Sequence, residues 1–141
     1  MSDLAFTIGD HELSATVLDT AAPATADQLR TLTPLETTVK HVRWSGYSIF
    51  IEDFGQSDPD FTHLPRENHT VYPSRGDVLF YPGFENVPEI LIACGPTAFK
   101  SPAGELAGNH VATLDADRDT LAAIETDVLE NGTKPVSIRS D

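Results

Sequence analysis

The stretch that decides the fold runs from Pro73 to Pro96 and holds two apolar segments between chain-breaking residues. It reads Pro73-Ser74-Arg75-Gly76, Asp77-Val78-Leu79-Phe80-Tyr81 and Pro82-Gly83, then, after a short connection, Glu89-Ile90-Leu91-Ile92-Ala93-Cys94 and Gly95-Pro96. Short apolar runs bounded by Gly and Pro are typical of β-strands. We therefore predict strands over Asp77–Tyr81 and Glu89–Cys94.

Further strands are predicted on both sides of this stretch. Leu13, Ala15 and Val17 alternate with polar residues, and two apolar runs meet at Gly9-Asp10, which is typical of a β-hairpin. A second hairpin is expected around Ser45-Gly46. Residues 53 to 67 carry acids, glycine and prolines without periodicity and are interpreted as a surface loop. The other predicted strands are Thr37–Trp44, Tyr47–Glu52, Asn68–Tyr72, Asn109–Leu114 and, as a closing edge strand, Pro135–Arg139.

A short helix is predicted after the first hairpin. Pro23 precedes Thr25 and Gln28, whose spacing matches a capping box in which the threonine oxygen accepts a hydrogen bond from a free backbone amide. Leu29 supplies part of an apolar stripe. Pro34 ends the helix because its ring cannot continue it.

A longer helix is predicted near the C-terminus, with Asp117 as its N-cap and Asn131-Gly132 as its stop. Leu121, Ile124 and Val128 recur at helical spacing and form its buried face. The opposite face is interpreted as acidic and solvated. The residues assigned to that outer face are Asp119, Glu125, Asp127 and Glu130.

Together these predictions give eight or nine short strands and two helices within 141 residues. A sheet of that size curls or closes, because strongly twisted sheets with many strands rarely stay open. We therefore predict a mainly β fold, a small closed β-barrel whose two helices cover the open ends. The sequence has no internal repeat and no linker, so residues 1–141 are expected to form one domain.

Composition narrows the function classes. Nine Lys and Arg face 22 Asp and Glu, which gives a formal net charge of −13. Such a surface would repel both nucleic-acid phosphates and an anionic membrane, so neither is an expected partner. The single Cys94 permits no intrachain disulfide and is expected to be buried on its apolar strand. Because Met1-Ser2-Asp3 opens the chain without a basic segment or an apolar run, we expect a cytoplasmic protein.

Several segments resemble cyclophilins. The proline- and threonine-containing segment 22–32 is similar to the first cyclophilin helix. His41-Val42-Arg43-Trp44 follows at about the spacing of the strand that presents an arginine to the cyclophilin groove. Gly108-Asn109-His110-Val111 is similar to the stretch that presents a groove histidine. Segments 76–80 and 89–93 would be two central barrel strands.

A closer resemblance is to a set of short bacterial proteins of uncharacterised function with a cyclophilin-like fold. It covers residues from about 12 to 114 in consistent order, and the C-terminal helix and last strand fit as well. The resembling blocks are 41–46, 67–68 with 72–73, 76–83, 95–97 and 104–110. The resemblance implies a closed eight-stranded barrel capped by two helices, in agreement with the fold predicted from the residues.

The resemblance also implies a candidate site on the flank of the barrel, a groove between Arg43 and His110. Arginine suits such a groove because it is always charged and its donors form a planar fork. Glu105, at the place of a groove tryptophan, would add a carboxylate near both residues. Tyr47 and Tyr81 lie next to predicted turns and are expected at the rim. The full candidate ligand-binding set is Arg43, His110, Glu105, Tyr47, Tyr81 and Asn109.

Departures from the cyclophilin pattern favour binding over isomerisation, since no glutamine follows Arg43 in residues 44–51. We expect a side-groove pocket that binds a small polar metabolite or a short peptide. The alternative is a peptidyl-prolyl isomerase of weak or lost activity, in which the arginine would donate toward the prolyl nitrogen as the amide twists. A third hypothesis, from fold analogy alone, is a component of an acyl- or lactam-type enzyme. Whether the protein is an enzyme stays open.

The expected partners are therefore a small molecule or a proline-containing peptide. The five histidines include no pair at ligand spacing such as His-x-His, so no metal site is predicted. No glycine-rich phosphate-binding motif occurs, so no cofactor is expected. Self-association is a further expectation, because residues 135–139 or the acidic loop could bridge protomers.

Overall fold

The computed structural model describes residues 4–141. The expectation of a cytoplasmic location rests on Met1-Ser2-Asp3, and these residues lie outside the described part of the chain. No helix within residues 4–141 is long and apolar enough to cross a membrane. The elements in chain order are β1 (Leu4–Ile8), β2 (His11–Val17), α1 (Pro23–Leu32), β3 (Leu35–His41), the 3₁₀ helix η1 (Arg43–Ser45), β4 (Gly46–Ile51), β5 (His69–Thr70), β6 (Asp77–Tyr81), β7 (Glu89–Thr97), β8 (Lys100–Ser101), β9 (Gly104–Glu105), β10 (Gly108–Asp115), α2 (Arg118–Asn131) and β11 (Lys134–Ser140).

Eight of the strands close into an antiparallel barrel. Neighbouring strands follow the order β2-β1-β11-β3-β4-β7-β6-β10, and β10 pairs with β2 to complete the ring. The short β5 pairs with the start of β10, and β8 and β9 form a separate two-stranded sheet. The predicted mainly β fold, a closed eight-stranded barrel with two helices, is confirmed.

The two strands of this stretch, β6 and β7, carry consecutive apolar residues because both faces of each strand are buried. Val78 and Phe80 of β6 belong to the large cluster that fills the barrel, to which both helices also contribute. Leu79 and Tyr81 belong to a second cluster outside the barrel, which Phe99 and other residues complete. Strands covered on both faces do not show the alternation of half-exposed strands.

The two helices lie at opposite ends of the barrel. Helix α1 connects the end of β2 to the start of β3, whereas α2 connects the end of β10 to the start of β11. Because β2 and β10 are antiparallel neighbours, their ends point in opposite directions. We name these regions the α1 end and the α2 end. The α2 end includes the end of β3, the start of β4 and the last residues of β7.

The strand predicted over Thr37–Trp44 is too long. Strand β3 ends at His41, and residues 43–45 form η1 instead. The reason is local hydrogen bonding, since the Ser45 amide donates to the Val42 carbonyl and the Gly46 amide donates to the Arg43 carbonyl. Arg43 therefore lies on a helical turn at the α2 end rather than on a strand.

The capping box predicted at α1 is wrong. The helix begins at Pro23, so Thr25 lies inside its first turn. The missing acceptor comes from Glu67, whose Oε2 accepts hydrogen bonds from the Thr25 amide at 2.7 Å and from its hydroxyl at 2.6 Å. A carboxylate is favourable there because free amides point out of a helix N-terminus.

The edge-strand prediction for Pro135–Arg139 is also wrong. Strand β11 lies between β1 and β3 and pairs with both. Both of its sides are therefore occupied, because a closed barrel has no free edge. This strand cannot bridge two protomers by adding to a second sheet while the barrel stays closed.

Candidate functional site

Helix α2 buries an acidic side chain across the α2 end. Leu121, Ile124 and Val128 pack into the core, and Glu125 lies among them on the inward side. Its Oε2 atom lies 2.6 Å from Nε2 of His41 at the end of β3, and both side chains are only 8% exposed. The contact joins the helix to the barrel across 84 residues of sequence.

Two cavities share Tyr47 and Glu125 among the residues that line them. Their volumes are about 330 Å³ and about 380 Å³. We call the combined surface the α2 groove, because one face of α2 forms a wall with residues spaced four, three and four apart. The groove is lined by His41, Arg43, Gly46, Tyr47, Arg75, Cys94, Gly95, Pro96, Arg118, Ala122, Glu125 and Leu129.

Glycines allow the turn after η1 to approach β7 closely. Gly46 has a φ of +113°, and a Cβ atom there would lie 2.5 Å from the Pro96 carbonyl oxygen, so only glycine fits without a shift. A Cβ atom on Gly95 would lie 3.0 Å from Cβ of Tyr47. Tyr47, 55% exposed, follows this turn and forms part of the groove wall.

Three exposed arginines line the groove without a carboxylate partner. Arg43 extends from η1, Arg75 from the turn before β6, and Arg118 from the first turn of α2. Five of the nine Lys and Arg residues pair with an Asp or Glu of the described chain. Of the four that do not within residues 4–141, only Lys100 lies elsewhere, in a cavity beside Trp44. The unpaired positive charge is therefore concentrated at this groove.

Two bonded side chains of the groove wall, His41 and Glu125, each keep one polar atom without a partner among the described residues. Nδ1 of His41 is inaccessible and has no hydrogen-bond partner within residues 4–141. Glu125 contacts His41 through Oε2, and no described residue donates a hydrogen bond to its Oε1. Cys94 lies nearby, and burial, together with the charge of Glu125, raises its pKa to about 12. The thiol therefore stays protonated at neutral pH and is not an activated nucleophile.

Of the six residues predicted for the site, Arg43 and Tyr47 lie in the α2 groove. The residues that line it include none of the other four. The predicted meeting of Arg43 with His110 is not seen in the cavity that Arg43 lines, whose walls are formed instead by His41, Glu125 and their neighbours.

His110 belongs to a separate polar cluster on β10. Its Nε2 atom lies 3.1 Å from Oδ1 of Asp77 and 3.1 Å from the Thr113 hydroxyl. Burial opposes the charge of Asp77, but hydrogen bonds from His110 and from the Ser74 amide outweigh it and lower the pKa of Asp77. This cluster ties β10 to the start of β6.

The turn beside Tyr81 predicted a position at the rim of the groove, but Tyr81 does not lie there. Its side chain is fully buried in the outer cluster, and its hydroxyl donates to Glu85 Oε1 at 2.7 Å while accepting from the Glu85 amide at 2.6 Å. Burial raises the pKa of Tyr81 to about 12. The hydroxyl orders the turn after β6, and the ring is part of the core.

Asn109 and Glu105 have protein partners. Asn109 is buried and donates to the Thr25 hydroxyl and to the Pro65 carbonyl, both at 2.9 Å. Glu105 is exposed on β9 and accepts a hydrogen bond from the Tyr72 hydroxyl at 3.1 Å. Among residues 4–141 no ion pair joins it to Arg43, although the resemblance placed a carboxylate there.

The sequence reasoning missed His41, Glu125, Arg75 and Arg118. Glu125 was assigned to the solvated face of its helix, yet it lies four residues after Leu121 and three before Val128, which is the spacing of the buried face. That spacing is a usable signal for an acid on an apolar stripe. The two arginines lie in a turn and at a helix start, where no periodicity shows which way they face.

Other solved proteins have the same fold as this chain. McbB, solved in complex with tryptophan, has the same fold, with a TM-score of 0.72 and 16% sequence identity over 96% of this chain. The chain spans 44% of the length of McbB. The hypothetical protein AF2241 from Archaeoglobus fulgidus also has this fold, with a TM-score of 0.56 and 14% identity over 99% of this chain and 95% of its own.

Sequence comparison places the chain in a family. No curated protein matches it. A family model described as "Protein of unknown function (DUF3830)" matches residues 4–140, nearly the whole chain. The chain belongs to the DUF3830 family.

Proposed function

We propose that this protein binds a small carboxylate-bearing metabolite in the α2 groove. One observation carries the proposal: Arg43, Arg75 and Arg118 line the groove, and none pairs with a carboxylate of residues 4–141, although the chain holds 22 acidic residues. An arginine presents N–H donors in a planar fork that matches the two oxygens of a carboxylate. An anionic ligand would supply the partner that the protein does not provide.

The dimensions of the groove favour a small molecule. Its two cavities, about 330 and 380 Å³, fall within the range of small-molecule pockets, which is about 300–1,000 Å³. The exposed ring of Tyr47 and the side chain of Leu129 offer apolar surface beside the guanidinium groups. A polar metabolite with an apolar portion fits this lining better than the short peptide that the sequence also allowed.

The choice of a first ligand draws on a structural neighbour. McbB was solved in complex with tryptophan, which carries a carboxylate and an aromatic ring. At 16% identity the likeness concerns the fold alone, so the binding proposal rests on the arginines of this chain. The tryptophan complex supports aromatic carboxylates as probes.

The cyclophilin-like resemblance stays part of the proposal. A closed eight-stranded barrel with two helices agrees with it, and Arg43, the residue that it singles out, lines the groove. The isomerase alternative requires Arg43 and His110 in one groove, whereas His110 is bonded to Asp77. A protease-coupled assay on an X-Pro peptide tests this alternative. If the wild type and Arg43→Ala both show only the background rate, the isomerase alternative is contradicted.

The binding proposal is tested by calorimetry and thermal shift with succinate, 3-phenylpropionate and indole-3-propionate. We expect at least one of these carboxylates to bind and to raise the melting temperature. Arg75→Ala and Arg118→Ala should each weaken its binding by about tenfold to a hundredfold, the effect of losing a charge-assisted hydrogen bond.

The matched control is Lys100→Ala, which removes an unpaired positive charge outside the groove. It should change affinity by less than about twofold, because Lys100 lines neither cavity of the groove and its exposed charge is screened by salt. Two results would contradict the proposal: no carboxylate binds, or the lysine variant weakens binding as much as the arginine variants do.

A further inference from the structure

Glu125 is the one carboxylate among the residues that line the α2 groove, all of which lie within residues 4–141. It is buried, and it lines both cavities. A buried carboxylate is stable only when charged or hydrogen-bonding partners compensate for the lost water. The carboxylate of Glu125 therefore needs hydrogen-bond donors or positive charge, just as the three groove arginines need a negative partner.

The protein compensates only half of this carboxylate. Oε2 of Glu125 is bonded to Nε2 of His41 at 2.6 Å, while Oε1 has no donor among the described residues. None of the groove arginines lies within 4.0 Å of it, so they are not its counter-ions. His41, whose Nδ1 is buried and unpartnered, is a second polar side chain in the same wall with an unmet hydrogen-bonding capacity. Oε1 of Glu125, unlike Nδ1 of His41, is not fully buried, so it is the unpartnered atom that a ligand in the groove can reach.

We infer that the ligand carries an ammonium group beside its carboxylate, so that it is an α-amino acid. The inference rests on the proposed carboxylate site. The ligand carboxylate pairs with the groove arginines, and its ammonium donates a hydrogen bond to Oε1 of Glu125. The side chain of the amino acid packs against Tyr47. Glu125 thereby selects the zwitterion over a plain carboxylic acid, which would bring no donor to Oε1.

The experiment compares matched pairs by calorimetry on the full chain: L-phenylalanine with 3-phenylpropionate, and L-tryptophan with indole-3-propionate and with tryptamine. We expect at least one amino acid to bind about tenfold more tightly than its deamino partner, because a charge-assisted hydrogen bond contributes that much. Tryptamine, which lacks the carboxylate, should bind more weakly than tryptophan.

Glu125→Gln keeps the shape of the side chain and removes its charge. It should erase the preference for the amino acid over the deamino acid, because the acceptor of the ammonium group loses its charge. Glu130→Gln is the control, since it removes one exposed charge from the same helix outside the groove. It should keep the preference.

The outcomes separate the two proposals. If the deamino acids bind as tightly as the amino acids in the wild type, the inference about Glu125 is overturned and the carboxylate site stands. If neither member of any pair binds, both proposals are overturned. The wild-type comparison decides the matter even if Glu125→Gln does not fold.

Discussion

The two ends of the barrel treat their buried polar groups in opposite ways. At the α1 end, Thr25, Glu67 and Asn109 bond to one another, and Asn109 also donates to the Pro65 carbonyl. At the α2 end, His41 and Glu125 share a single hydrogen bond, and the remaining polar atoms of both side chains lack partners among the described residues. The first arrangement leaves no fully buried side-chain atom of these three residues without a partner, whereas the second leaves Nδ1 of His41 without one.

This difference distinguishes a structural closure from a ligand site. A buried polar group without a partner costs about 1–3 kcal/mol, so a fold gains stability by satisfying it. The α1 end does so with a loop residue, Glu67, that caps helix α1. At the α2 end, Nδ1 of His41 stays buried without a partner, and Oε1 of Glu125 and three unpaired arginines line the open groove. We read the incomplete end as the one that a ligand completes.

The largest expected effect breaks the pair at the α2 end. His41→Ala leaves Glu125 buried without its partner and should lower the free energy of unfolding by about 3–5 kcal/mol. The double variant His41→Leu/Glu125→Leu should recover most of that loss, since apolar residues of similar volume replace a buried polar pair at little cost. Denaturant unfolding measures both. Equal losses in the single and double variants would show that packing, not the unpaired carboxylate, determines the stability.

A second prediction concerns Glu89, an acidic side chain that is buried at the α1 end. Burial, together with the charge of Glu52, raises the pKa of Glu89 to about 7. This value exceeds the ordinary 4.5 of the unfolded chain, so the folded state holds the proton of Glu89 more tightly than the unfolded state does. The resulting contribution to the free energy of unfolding is fully present below about pH 4.5 and is lost as the pH rises through 7.

Glu89→Gln should therefore stabilise the protein at pH 8 by up to about 3 kcal/mol relative to the wild type and have little effect near pH 4.5. Unfolding curves at several pH values measure the difference. The exposed variant Glu130→Gln is the control and should follow the wild type. A Glu89→Gln curve parallel to that of the wild type would mean that Glu89 titrates normally.

The third prediction tests the closure at the α1 end. Asn109→Ala removes the donors to Thr25 and Pro65 and leaves the Glu67 amide without its acceptor, so it should lower the unfolding free energy by about 2 kcal/mol. Asn68→Gly, which loses one exposed hydrogen bond at a residue whose φ of +46° glycine adopts freely, should lose about 0.5 kcal/mol. Ligand affinity should be unchanged in both. A loss of affinity in folded Asn109→Ala would return Asn109 to the site in which the sequence placed it.

The fold was predictable because its determinants are local. The apolar runs 77–81 and 89–94 are bounded by breakers, and the number of strands required closure. The cap of α1 was not predictable, because Glu67 lies 42 residues away from Thr25. The central position of β11 is likewise a property of the closed ring rather than of residues 135–139.

The site was less predictable because it is assembled from distant segments. The family resemblance predicted Arg43 as a site residue, and the turn next to Tyr47 predicted that residue. Both line the α2 groove. His41 and Glu125 are 84 residues apart, and only the helical spacing of Glu125 could have indicated that it is buried. Nothing local shows that Arg75 would lie near that helix.

The smallest expected effect concerns the groove arginines. Arg43→Ala, Arg75→Ala and Arg118→Ala should each change the unfolding free energy by no more than about 0.5 kcal/mol, because these exposed side chains form no ion pair within residues 4–141. Arg66→Ala is the matched comparison and should lose about 1 kcal/mol, since Arg66 bonds to Glu85 at 2.6 Å and its guanidinium lies 4.4 Å from the centre of the Phe84 ring.

Thermal or denaturant unfolding without ligand measures all four variants. An arginine that holds the fold together is expected to have a partner, as Arg66 has, whereas an arginine kept for a ligand contributes to stability only when the ligand is present. Losses in the groove variants as large as that of Arg66→Ala would mean that these arginines stabilise the α2 end itself. The contrast between a completed end and an end that awaits its ligand would then disappear.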